Sequence, residues 1–217
     1  MKKFFLFILT FLLSLSLYAC GKSIDFQDYI SEVTYVYFRG FSQGAKASIS
    51  VGQREDPYVI DGKNQKLCDF SLISFEFEQI INENEINATV QINDNISCET
   101  LFFNPVTNSF MCDLGYCIKE DASVKISYQD IEIALENVSE NFEIDYQKAL
   151  DLSGEKLNKE IDSLKENGEF KGECYLKILT LKGEEGSLFW NFTLVGQKNE
   201  TYNLLIDASS GEIISFN

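Results

Sequence analysis

From residue 30 onward the chain is patterned for strands. Residues 30–38 read Ile-Ser-Glu-Val-Thr-Tyr-Val-Tyr-Phe, rich in the β-branched and aromatic types that suit a pleated, half-buried surface. The apolar spacing at 30, 33, 36 and 37 also fits a short helix. Residues 39–44 read as a loop. Residues 45–53 then alternate, with Ala47, Ile49 and Val51 on one side and Lys46, Ser48 and Ser50 on the other. Further strands are predicted at 68–77, 86–92, 96–103, 110–114 and 124–135, the last with a change of phase around Asp130. Asn93-Asp94-Asn95 reads as the turn of a hairpin, because these residues tolerate turn dihedrals. Six or seven short strands without intervening helices predict a compact antiparallel sandwich or curled sheet.

The period changes after residue 145. Ala149, Leu150, Leu157, Ile161 and Leu164 fall on one face of a helix over 145–166, with Lys, Glu and Asp opposite. Asn167-Gly168 ends it, and Gly154 inside it marks a kink or a close approach. Strands follow at 170–182, 188–195, 202–207 and 213–216. The predicted fold class is therefore α+β: an antiparallel β-sandwich-like subdomain over 29–135, a connector at 136–142, and a small helix-plus-antiparallel-sheet subdomain over 143–217.

The first residues change the picture from fold to address. Lys2 and Lys3 precede an apolar or hydroxyl-bearing run over residues 4–19, about as long as a signal-peptide core and short for a bilayer span. Leu17-Tyr18-Ala19-Cys20-Gly21 resembles the bacterial lipobox, in which the cysteine thiol receives a diacylglyceryl group and becomes the first mature residue. The resemblance implies a signal peptide at 1–19, a lipidated Cys20 with a short tether over 20–28, and attachment to the extracytoplasmic face of the cell membrane. Acyl chains stabilise such attachment by about 0.8 kcal/mol per buried CH2.

Charge and missing residue types narrow the chemistry. The net charge is −16, and removal of residues 1–19 takes two lysines with it. Such a surface repels phosphate backbones, so nucleic acid is excluded as a partner. Histidine is absent, which excludes Ser-His-Asp and Cys-His catalysis and histidine-based metal sites. Cys68, Cys98, Cys112, Cys117 and Cys174 remain beyond Cys20; an odd count leaves at least one thiol over, and a Cys112–Cys117 bridge stays open beside a reading of buried thiols. Glu55, Asp56 and Asp61, or Asp94 with Asn93 and Asn95, have oxygen ligands but no EF-hand spacing. No metal or other cofactor is predicted. Arg39 and Arg54 are the chain's only arginines; Arg54 reads as a structural salt bridge, or more sharply as a carboxylate contact.

Tyr146-Gln147-Lys148-Ala149-Leu150, Phe189-Trp190-Asn191-Phe192 and Leu205-Ile206-Asp207-Ala208-Ser209-Ser210-Gly211-Glu212-Ile213-Ile214 together resemble the PepSY domain, over about residues 143–217. Residues 25–135 look like the N-terminal part of small lipoproteins of low-GC Gram-positive bacteria. The PepSY resemblance implies modulation of a peptidase or another envelope protein and carries no catalytic residues. Asp207, Gly211 and Glu212 match its hairpin and read as turn residues, and Trp190 as core packing rather than a recognition anchor. The expected function is that of a membrane-anchored, non-catalytic binding or regulatory module; an envelope scaffold or ligand-binding lipoprotein is the alternative, and a carboxylate-only hydrolase the remaining one.

Overall fold

Tight reversals lay down the strands. Gln43 and Gly44 hold φ of 50° and 75°, the left-handed pair that a two-residue hairpin needs, and fold β1 (Ile30–Ser42) onto β2 (Ala45–Glu55). The computed structural model describes residues 26–56, 66–79, 81–180, 186–198 and 200–216. The strands continue as β3 (Leu67–Phe77), β4 (Glu85–Ile92), β5 (Asn95–Asn104), β6 (Ser109–Asp113), β7 (Val124–Tyr128) and β8 (Ile131–Asn137). Hydrogen-bonded neighbours run β1-β2-β3-β6-β5-β4-β7-β8, and β8 returns to β1 through Phe38↔Asn137 and Arg39↔Glu136. These eight strands form a closed antiparallel barrel.

Alternation then has a single meaning: one face lines the barrel. Ala45, Ala47, Ile49 and Val51 of β2 meet Ile73 and Phe75 of β3, Ala88 and Val90 of β4, and Ile133 and Leu135 of β8 in one buried cluster. Small alanines against phenylalanines and isoleucines fill the interior, as a barrel of this strand number requires. Phe75, Phe77, Phe110 and Tyr128 pack with ring centroids 4.9–6.4 Å apart.

The remaining strands extend the same sheet. β1 pairs in parallel with β11 (Gly172–Leu179) through Ile30↔Cys174 and Val33↔Leu176. β12 (Phe189–Gly196), β13 (Thr201–Asp207) and β14 (Ile213–Phe216) follow as an antiparallel meander. Helices α1 (Tyr146–Lys156) and α2 (Asn158–Ser163) and the 3-10 turn Phe26–Tyr29 lie against it, as their shared core shows. The Asp145 carboxylate caps α1 by accepting from the Lys148 amide at 2.7 Å. A short hairpin, β9 (Lys165–Glu166) with β10 (Glu169–Phe170), follows α2. Leu150, Leu157, Trp190, Phe192, Leu204 and Ile206 belong to this second core.

Several expectations are corrected. The fold is mostly β with a closed barrel, not a sandwich followed by a helix-plus-sheet subdomain, because β8 closes on β1 and the C-terminal strands join the barrel's own strand. Residues 39–42 are strand, and only Gln43-Gly44 turns. Residues 124–135 are two strands: the phase change is a hairpin at Gln129-Asp130, with Gln129 at φ 51°. The helix is two helices that part at Leu157. Gly154 does mark a close approach, for a Cβ there would lie 2.8 Å from the Phe26 ring.

Tyr35 of β1 bridges barrel and helix. Its ring meets Tyr146 edge-on at 4.9 Å, and its hydroxyl donates to Gln53 at 2.7 Å. Burial, helped by Tyr146, Cys117 and Asp69, pushes the phenol up to about 12. The folded phenol thus keeps its proton where an unfolded one, near about 10, loses it. Its contribution is complete below the unfolded value and is lost as the pH climbs through the folded one. Urea midpoints should fall between about pH 9.5 and 11.5 by more in the wild type than in Tyr35→Phe, a difference muted by solvent screening because the phenol is only half-buried. Equal losses in the two proteins would refute this assignment.

Candidate functional site

β1 changes partners along its length. It leaves β11 after Val33 and meets β8 at Phe38. Between them the Tyr37 carbonyl accepts from the Val138 amide at 3.0 Å, and the Tyr37 amide donates to Ser139 Oγ at 3.1 Å. Beside this fork the outer barrel wall carries a cavity of about 540 Å³, a size within the range of small-ligand sites.

Strand register builds its floor. Glu136 of β8, Arg39 of β1, Ser48 of β2 and Ser74 of β3 stand in one cross-strand row. The next row holds Phe41, Lys46 and Glu76. Directly opposed residues have Cβ atoms about 4.5–5.5 Å apart, so each cation stands beside a carboxylate. Tyr37 borders the first row, and Glu78, just past β3, lies beyond the second; the Glu78 amide donates to the Gly44 carbonyl at 2.9 Å. Thr180, just past β11, also lines the recess, and Arg39 Nη2 donates to the Gly186 carbonyl at 3.4 Å.

Two lining groups hold their protons more tightly than usual. Burial raises the Tyr37 hydroxyl above its ordinary value, against a hydrogen bond with Ser48 that lowers it; Glu76 raises it further and Arg39 lowers it. Desolvation raises the Glu76 carboxyl and Lys46 partly offsets this. The site is amphoteric, with Arg39 beside Glu136 in one row and Lys46 beside Glu76 in the next.

The residues singled out by sequence lie elsewhere. Arg54 of β2 pairs with Asp113 of β6, and its guanidinium sits 5.2 Å from the Phe70 ring centroid; it braces the barrel and does not line the cavity. Trp190 is 1% exposed, donates Nε1–H to the Ile144 carbonyl at 2.7 Å and meets Phe142 edge-on. Asp207, Gly211 and Glu212 share one hairpin. The Asp207 carboxylate accepts from the Ser209 amide at 2.8 Å, the Ser209 hydroxyl at 2.5 Å and the Ser210 amide at 2.9 Å. The Ser209 hydroxyl foremost, joined by the Ser209 and Ser210 amides, holds Asp207 below the usual carboxylate range and outweighs the opposing effect of burial. Gly211 takes φ 74° and donates to the Asp207 carbonyl, while Glu212 is exposed. Cys20 lies outside the described residues, as does Asp61.

Thiols and acidic loops add little chemistry. Cys68, Cys98, Cys112, Cys117 and Cys174 are free thiols. Burial foremost raises Cys112, Cys117 and Cys174, with Glu99, Asp69 and Glu173 respectively adding to it, which keeps them protonated and poorly nucleophilic at neutral pH. Asn93 turns its hairpin with φ 53°, and its side chain accepts from the Ser123 amide. Among the described residues no group of three acidic or cysteine side chains is placed to hold a metal ion.

The sequence marks Arg39 only as a rare residue in a loop, Glu136 as the start of a connector, and Tyr37, Ser48, Ser74 and Glu76 as parts of strands. The outward row of Lys46, Ser48 and Ser50 was the one linear signal of a polar face. No protein-family model matches the chain, and neither the curated proteins nor the solved structures contain a match to it.

Proposed function

We propose that this chain is a lipid-anchored, extracytoplasmic binding protein that holds its ligand or partner in the groove beside Arg39 without turning it over. The observation that carries this reading is the groove, a recess of about 540 Å³ lined by Arg39, Lys46, Glu76 and Glu136 on the barrel wall. Sites set on strands hold their side chains more tightly than sites on loops. The anchor rests on the Leu17-to-Cys20 motif; among the described residues no helix is long and apolar enough to cross a membrane. Trp190 serves the core, and Asp207 and Gly211 serve the geometry of a turn. That favours a ligand-binding or scaffold lipoprotein over a regulator of an envelope peptidase, the PepSY resemblance being the support for the latter.

Crosslinking and affinity recovery from intact membranes test this with three forms. The wild type should fractionate with membranes and recover its partner. Cys20→Ala should move to the soluble fraction, and intact mass should locate the acyl chains on Cys20. Ser48→Trp, which fills the groove from its floor, should stay on membranes and lose the partner. An acidic surface also makes recovery of a basic partner salt-dependent. Undiminished recovery with Ser48→Trp would rule out the groove. Hydrolysis of a peptide or glycan by the purified protein, abolished by replacing a carboxylate pair, would make it an enzyme instead.

A further inference from the structure

Resting on the reading of the groove as a binding site, we propose that it takes an uncharged saccharide, a short piece of glycan with its hydroxyls on the paired charges and a ring face on Phe41. The lining charges are already matched among themselves. Glu136 stands opposite Arg39 in one row, and Glu76 opposite Lys46 in the next. Lys46 is near enough to offset part of the desolvation that raises Glu76, and Arg39 Nη2 also donates to the Gly186 carbonyl. Glu78, the carboxylate left over, is exposed just past the end of β3. A ligand of either sign would meet a like charge beside every group it could pair with. A wholly apolar ligand would strip water from both pairs and return no hydrogen bonds. An uncharged ligand that donates and accepts meets neither penalty.

The hydroxyl is the group that suits this wall. Arg39 and Lys46 only donate, and ionised Glu76 and Glu136 only accept. A hydroxyl does both at one atom, so neighbouring hydroxyls accept from a cation and donate to its carboxylate without parting the two. Ser48 and Ser74 share the Arg39 row, and the Tyr37 hydroxyl, hydrogen-bonded with Ser48, borders it. These three work in either direction. Phe41 opposes Lys46 and is 59% exposed, an open ring on an otherwise polar wall. The C–H face of a sugar ring covers such a ring while its hydroxyls stay turned to the polar groups. The two rows lie roughly 7 Å apart, and the recess of about 540 Å³ is of a size that holds small ligands. An extended peptide fits less well: β1, β2 and β3 are paired with one another across the floor and offer its backbone no strand edge.

An array of neutral, uronic-acid and phosphorylated oligosaccharides tests this with the full-length protein in a detergent that has no sugar headgroup. Neutral glycans should be retained. In calorimetric titration the best of them should bind with an affinity that changes by less than about twofold between about 50 and 500 mM salt. Phe41→Ala should weaken it about tenfold or more, and Arg39→Gln and Glu136→Gln should each weaken it, whereas a charged ligand would gain from one of the two. Thermal melting of each variant checks that it is folded. Preference for the acidic or phosphorylated glycans, a steep salt dependence, tighter binding by either charge variant or undiminished binding by Phe41→Ala would overturn the proposal. So would binding of N-acetyl-trialanine amide in place of any glycan. If no glycan is retained while Ser48→Trp still loses its envelope partner, the groove stands and the saccharide falls. If the glycan binds Ser48→Trp as well as the wild type, the groove itself is wrong.

Discussion

Valine in place of Gly40 is expected to open the barrel. A Cβ at this position would lie 2.2 Å from the Ala134 carbonyl oxygen, 2.8 Å from Ile133 Cγ2 and 3.0 Å from Leu135 Cδ2. The first of these is backbone, which has no rotamer to yield. β8 crosses β1 so closely that only a residue without a side chain fits, and the seam there is pinned by just two register pairs, Phe38↔Asn137 and Arg39↔Glu136. Overpacking of a core typically costs about 1–3 kcal/mol, and lost seam hydrogen bonds add to it. A total of about 3 kcal/mol or more is expected, a large part of the roughly 5–15 kcal/mol that holds a typical domain folded. Urea denaturation reads this as a lower midpoint. Arg39 and Phe41 flank the site, so Gly40→Val should also lose groove binding at temperatures where it remains folded. A Gly40→Val protein as stable as the wild type would mean that β8 does not close on β1.

Trp190→Ala is expected to be comparably damaging in the second core. The indole is almost wholly buried, and Phe142 packs edge-on with centroids 5.5 Å apart. Removing a buried tryptophan costs about 3–5 kcal/mol in transfer and cavity terms. The Ile144 carbonyl, which accepts from Nε1 at 2.7 Å, loses its partner at a further cost of about 1 kcal/mol or more. Trp190→Phe should restore most of the packing and forfeit mainly the hydrogen bond. Calorimetric melting of the three proteins should order them wild type, Phe, Ala. If Trp190→Ala melts with the wild type and binds its partner less well, the indole is a recognition group after all.

Most strands were legible because the alternation was honest about burial. Ala47, Ile49 and Val51 do face the interior, and Ala149, Leu150, Leu157, Ile161 and Leu164 do pack into one core. The architecture was not legible, because a sandwich and a barrel impose the same alternation and differ only in whether the first and last strands meet. β8 finds β1, and β1 finds β11, across distances in sequence that no local pattern encodes. Local chemistry misled at two places. Arg39-Gly40-Phe41-Ser42 looked like a loop because of its glycine, which is there to admit β8. Gln129-Asp130 carried neither glycine nor proline, so a hairpin was read as a phase slip. The groove was hidden for the same reason as the barrel: its residues come from β8, β1, β2 and β3 and meet only through register.

The sharing of β1 between two cores has a consequence for how the chain acquires its structure. Contacts along β1 join residues 102 positions apart at Tyr37 and Ser139 and 142 apart at Ser31 and Glu173. Loop-closure entropy must be overcome before such pairs reward the chain, and folding slows as contacting residues lie further apart in sequence. The β1–β2–β3 hairpins can form at once, but neither core is complete until its distant strand arrives. Refolding should therefore be slow, on the millisecond-to-second scale of non-local β proteins rather than the microseconds of helical bundles. In that interval β1 carries an unsatisfied edge that a second chain could occupy, so the yield of native protein should fall as refolding is carried out at higher chain concentration.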